Sequence, residues 1–135
     1  MEETEDHGLV SATIEARRGM ERRGMERARW LFASCCVATS VLHFCAFLGV
    51  TSAGGSSALR HLVFCAINVA LATLFAKNVR WVLYPLVPLS LQQLVSHGGD
   101  LARAAEAHSF DWQSILVLVF FALALVYSRW RLQAP

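Results

Sequence analysis

Trp30–Val50, WLFASCCVATSVLHFCAFLGV, decides what kind of protein this chain is. The stretch runs for 21 residues without a formal charge. At about 1.5 Å of rise per residue, a helix of that length crosses the roughly 30 Å of hydrocarbon in a bilayer. Arg29 stands immediately before it, and the next charged residue is Arg60. The stretch therefore predicts a transmembrane helix. A secretory signal peptide, with its basic region ending at Arg29 and cleavage after Ala53, is the competing reading. It fits less well, because the apolar core of a signal peptide is usually about 7–15 residues.

The composition agrees. Of 135 residues, 56% are hydrophobic and 16% are charged, against about 25% charged in soluble domains. The formal net charge of +2 hides its distribution, because six of the twelve basic residues lie between Arg17 and Arg29. Arginine supplies every basic residue except Lys77, and with the abundant Ala, Leu and Val this points to a GC-rich, bacterial genome. The expected location is therefore a cell inner membrane, with the lipid bilayer as partner and no nucleic acid.

Working outward, residues 1–28 open acidic at Glu2, Glu3, Glu5 and Asp6 and turn basic through RRGMERRGMERAR. Such a segment cannot build a core, so it predicts a disordered cytoplasmic tail; Glu15/Arg18 and Glu26/Arg29 also suit a solvated helix. Met20 and Met25 are alternative starts to Met1. After Val50, TSAGGSSA (51–58) suits a tight connection. A second span follows over about 59–76, with Arg60 able to reach the interface. The third apolar run, 81–95, is short and holds Pro85 and Pro88, which predicts a kinked span or a re-entrant segment. Gly98 and Gly99 suit a helix stop, Asp100 an N-cap, and Ser109 or Asp111 caps a fourth span over about 112–128. Trp112, Tyr127 and Trp130 sit where interfacial belts belong. The expected fold is an all-α, four-helix antiparallel membrane bundle over residues 29–131, with 132–135 as a cytoplasmic tail.

On four spans, ten basic residues fall on the side of the termini and two, Arg60 and Arg103, on the other. That asymmetry predicts both termini in the cytoplasm. Counted from the outer helix ends, His61 lies at about 3 Å, Gln92 and Gln93 at about 5 Å, His43 at about 10 Å and Asn68 at about 13 Å, with His97 at the surface. Polar groups therefore gather in the outer half. Helical spacing adds a face: Cys36, Ser40, His43 and Phe47 form a stripe on the first span, and His61, Cys65, Asn68 and Ala72 on the second. On the third, Trp81, Pro85, Pro88 and Gln92 share a face, with Gln93 and His97 about 100° away. Polar stripes at membrane depth normally turn inward and face one another.

His43, His61, Asn68, Gln92, Gln93 and His97 are accordingly the candidate pocket residues, for a small polar ligand or a lipid or quinone headgroup. The bland alternative is interhelical hydrogen bonding that holds the spans together in a structural or assembly subunit, alone as a homo-oligomer or within a membrane complex. A redox subunit using quinone, haem or metal is a further alternative. Haem needs two imidazoles at matching depth, and His43 and His61 differ by about 7 Å on this count, so no haem, metal or other cofactor is predicted. No pair of carboxylates lies inside a span and no spacing carries a mechanism, so no catalytic residue is assigned. Cys45 and Cys65 fall at similar depth, about 8 and 9 Å, and are a candidate thiol pair.

The vicinal Cys35-Cys36 is similar to the paired thiols in the first helix of bacterial mercuric-ion transporters. The likeness covers two residues and lacks that family's surrounding cysteines and prolines, so it implies no function. In layout alone, a small chain with four spans resembles the DoxX-type group.

Overall fold

The computed structural model describes the backbone of residues 3–50 and 57–133, with side chains from Ala12 onward. Most of the Gly- and Ser-rich connection, the alternative cleavage point after Ala53 and the end of the C-terminal tail lie outside the described residues, as does the start of the acidic segment. The described chain is all-helical: α1 (Glu3–Phe47), α2 (Ala58–Ala76), α3 (Leu83–Glu106) and α4 (Trp112–Gln133), with a 3-10 turn at Arg80–Val82 leading into α3. Three stretches, Ala12–Phe47, Ala58–Ala76 and Trp112–Gln133, are long and apolar enough to cross a membrane. α3 is not among them, because its prolines, its glutamines and the Gly-Gly-Asp that follows dilute a short apolar run.

The chain divides into two compact units, Met1–Ala76 and Lys77–Pro135. In the first, α1 starts at Glu3 and runs unbroken through the basic repeat, where the sequence predicts a structureless tail. Ala, Glu, Arg and Met are all good helix formers, and Arg17 pairs with Glu21 at 3.3 Å one turn on. The helix ends earlier than the apolar run does. Gly49 takes φ +74°, Val50 N–H donates to Cys45 O at 2.9 Å, and Gly49 N–H donates to Ala46 O at 3.1 Å. This paired reversal needs a residue that tolerates the left-handed region, and glycine does so at no steric cost.

α1 and α2 bury matching faces. Phe32, Ala33, Cys36 and Ser40 are buried on α1, and Asn68, Leu71, Ala72 and Phe75 on α2. Phe32 stacks on Phe75 with ring centroids 5.4 Å apart, Ser40 meets Cys65, and His43 meets His61. Partners on α2 fall in number as those on α1 rise, so the two helices form an antiparallel hairpin. Small residues such as Ala33 and Ala72 let the backbones approach.

The second unit is also an antiparallel pair, joined near one end by His97 to Ser114 and near the other by Arg131, which donates to Asn78 O at 3.0 Å. α3 passes straight through Gly98 and Gly99 and stops only at Ala107, so these glycines do not end it and Asp100 is no cap. The stop is made by His108 at φ +49°, with Ser109 N–H donating to Ala104 O at 2.8 Å and His108 N–H to Ala105 O at 3.1 Å. The buried face of this segment holds Val82, Leu86 and Gln93; Trp81 and Gln92, which the spacing groups with the prolines, are exposed.

Asp111 caps α4: its carboxylate accepts the Ser114 N–H at 3.0 Å and the Ser114 hydroxyl at 2.6 Å. The Ser114 hydroxyl, then its backbone N–H, holds the Asp111 carboxyl below its ordinary value, with nearby His97 adding to the effect. A carboxyl depressed in the folded state contributes stability above its ordinary value and loses it as pH falls through the depressed one. Thermal melts between about pH 6 and pH 3 should therefore show an acid loss. Asp111→Asn, which can still cap but cannot titrate, should flatten that component; an unchanged acid profile would contradict the assignment.

Candidate functional site

Each unit brings histidine together with polar partners at the end nearest its own helix connection. In the first, His43 Nδ1 lies 3.2 Å from His61 Nδ1. One of these nitrogens must carry the proton and the other accept it, so the rings hold opposite tautomers. The depth count that separated the two by about 7 Å fails because α1 ends at Phe47, not Val50, and α2 begins at Ala58. Measured from those ends, His43 lies about 6 Å in and His61 about 4.5 Å. The other face of the pair is aromatic and cationic: His43 stacks on Phe64 at 5.4 Å, and the Arg60 guanidinium lies 5.7 Å from the same ring. His61 Nε2 is buried and has no hydrogen-bond partner.

One turn further from the connection, Ser40 Oγ sits 3.1 Å from both the Cys65 carbonyl oxygen and Cys65 Sγ. The hydroxyl thereby ties α1 to α2 just below the histidines. Asn68, a turn beyond, donates from Nδ2 to Phe64 O of its own helix at 2.8 Å. Of the two cysteines expected to pair, both are free thiols, and Cys65 has Ser40 for its neighbour.

In the second unit, His97 Nδ1 lies 2.9 Å from Ser114 Oγ. The Ser114 hydroxyl donates to Asp111 Oδ2 at 2.6 Å, which leaves its oxygen to accept from His97 Nδ1–H. Serine is thus the middle of the chain. A nucleophilic triad puts histidine in the middle to take the serine proton, so this arrangement can relay or anchor a proton but does not activate the hydroxyl. His97 also lies 3.7 Å from Asp100, whose other oxygen receives Arg103. Gln93 is buried and donates to Gln92 Oε1 at 3.0 Å; Gln92 itself is exposed.

The six expected pocket residues therefore divide three and three between the units: His43, His61 and Asn68 in the first, Gln92, Gln93 and His97 in the second. Among them the structure joins His43 to His61 and Gln92 to Gln93. The sequence offers Asp111 as a cap of α4 and Cys65 as a partner of Cys45, and does not mark Ser40 or Ser114 as partners. Ser40 is visible as a stripe neighbour of His43, and D-x-x-S at Asp111–Ser114 has the spacing of an N-cap and its third helical residue. Among the described residues, no group of three or more His, Cys, Asp or Glu side chains is gathered to hold a metal ion. In comparisons with known proteins, no family model, curated protein or solved structure matches the chain.

The His43–His61 contact should appear as a coupling. In a double-mutant cycle with His43→Phe and His61→Phe, unfolding free energies measured in detergent should give a coupling of about 0.6–2 kcal/mol, the range of hydrogen bonds between membrane helices. Strict additivity would show that the rings do not bond.

Proposed function

We propose that this chain is a multi-pass integral membrane protein whose four helices cross with both termini in the cytoplasm, and which takes a small polar ligand from the extracytoplasmic side. Three membrane-length apolar helices support insertion. The ten-to-two division of basic residues supports the orientation. In this topology the connections after α1 and α3 lie outside, residues 1–28 and 132–135 lie inside, and both histidine clusters lie on the outer side.

One observation carries the ligand reading: the unmet Nε2 of His61. A buried polar atom without a partner is costly, and more so in hydrocarbon, where water cannot supply one. If His61 Nδ1 accepts from His43, Nε2 carries a proton and donates; in the opposite tautomer it accepts. Either form completes one hydrogen bond to a polar group such as a quinone carbonyl or a headgroup oxygen. The absence of an activated nucleophile in the described clusters favours binding or passage over catalysis.

Melts of the purified chain with a short-chain quinone and with glycerol 3-phosphate test this reading. At least one probe should raise the melting temperature of the natural chain, and His61→Leu should abolish the shift while leaving the helix content unchanged. No shift with either, or a shift that survives His61→Leu, would overturn it.

A further inference from the structure

At the end of the first unit away from the histidines, α1 passes from its basic repeat into its charge-free run at Trp30. Two adjoining hollows meet there. One is an open face of α1 formed by Arg23, Glu26, Arg27, Trp30, Leu31 and Ser34. The other shares Trp30 and Ser34, runs between α1 and α2 from Ala76 and Thr73 past Ala33 and Ala72, and ends at Val37 and Ala38. The two form one groove, charged at its mouth and apolar along its length.

Its chemistry follows that order. Arg23 and Arg27 are one turn apart on the same helix face, and Glu26 offsets one of the two charges. Trp30, one turn on from Arg27, borders both hollows. Guanidinium groups bind phosphate oxygens in paired, charge-assisted hydrogen bonds. Tryptophan sits by preference at headgroup depth. Beyond it the lining is small and almost wholly apolar, the shape left for an alkyl chain lying against two helices.

We infer that this groove is a binding site for one anionic phospholipid, its phosphate held at Arg23 and Arg27 and one acyl chain laid along Ala38, Ala72 and Ala76. The site rests on the reading that α1 enters the bilayer at Trp30, and is independent of the outer polar clusters. On that reading it opens to the cytoplasmic leaflet, which carries anionic lipid and attracts basic segments beside a membrane span.

Native mass spectrometry of the full chain, released from micelles containing equal dioleoylphosphatidylglycerol and dioleoylphosphatidylcholine, tests the site. The chain should retain the anionic lipid on the order of tenfold over the neutral one. Arg23→Gln with Arg27→Gln should remove that preference, whereas Arg17→Gln with Arg18→Gln, an equal loss of charge outside the groove, should keep it. Ala38→Leu, at an exposed position on the groove wall, should lower retention with both arginines intact. Equal retention of the two lipids, equal loss in both arginine pairs, or retention unaffected by Ala38→Leu would overturn the proposal. Ultracentrifugation of alkaline-washed membranes separates the two failures: a chain released to the supernatant contradicts insertion itself, and a chain that pellets without lipid preference contradicts only the groove.

Discussion

On the proposed membrane reading, a polar side chain on a helix surrounded by hydrocarbon has to find its hydrogen-bond partner within the protein, and the cross-helix contacts answer that constraint. Most of the hydroxyls and amides settle it locally. Thr39 donates to Cys35 O, Thr73 to Val69 O, Ser90 to Leu86 O and Asn68 to Phe64 O, each one turn back on its own helix. Such bonds cost no packing geometry and specify none. Among the described residues, Ser40 to Cys65, His43 to His61 and His97 to Ser114 instead reach between helices. Each is short, so sliding either hairpin by one turn, about 5.4 Å, would break it. Apolar faces alone would tolerate such a slide far better, since lipid tails solvate leucine as well as a neighbouring helix does.

The first unit has two unlike ends. Near its helix connection, the imidazoles of His43 and His61 and the Ser40 hydroxyl gather. Where α1 leaves its apolar run, arginines and tryptophan border a groove of small residues. A protein that meets a polar ligand at one surface and an anionic lipid at the other would be built this way, with each function on the side where the matching chemistry is available.

Much of this was legible in the sequence because helical spacing is rigid. The stripes Cys36-Ser40-His43 and His61-Cys65-Asn68 do face one another, as their i, i+4, i+7 spacing requires. What sequence misjudged were helix ends and one choice of face. Val50 looks as apolar as the residues before it, yet the turn at Gly49 ends the helix at Phe47, and with α2 starting at Ala58 this brings His43 level with His61. Gly98 and Gly99 carry the residue type of a stop without the backbone reversal, which falls instead at His108, a residue that rarely signals one. On α3 the prolines drew attention to the Gln92 face, whereas the buried side follows Val82, Leu86 and Gln93. Nothing in a list of residues tells which of two adjacent glutamines turns inward.

The register of α1 against α2 is the central claim, and a single cross-link tests it in the native membrane. Ser40 Oγ and Cys65 Sγ are 3.1 Å apart, so Ser40→Cys should form a disulfide with Cys65 on mild oxidation, identified by mass spectrometry of the linked peptides. Val41→Cys, on the exposed side of the same turn, should not. A bond to Cys65 formed equally well from both positions, or from neither, would contradict the pairing on which the histidine site depends.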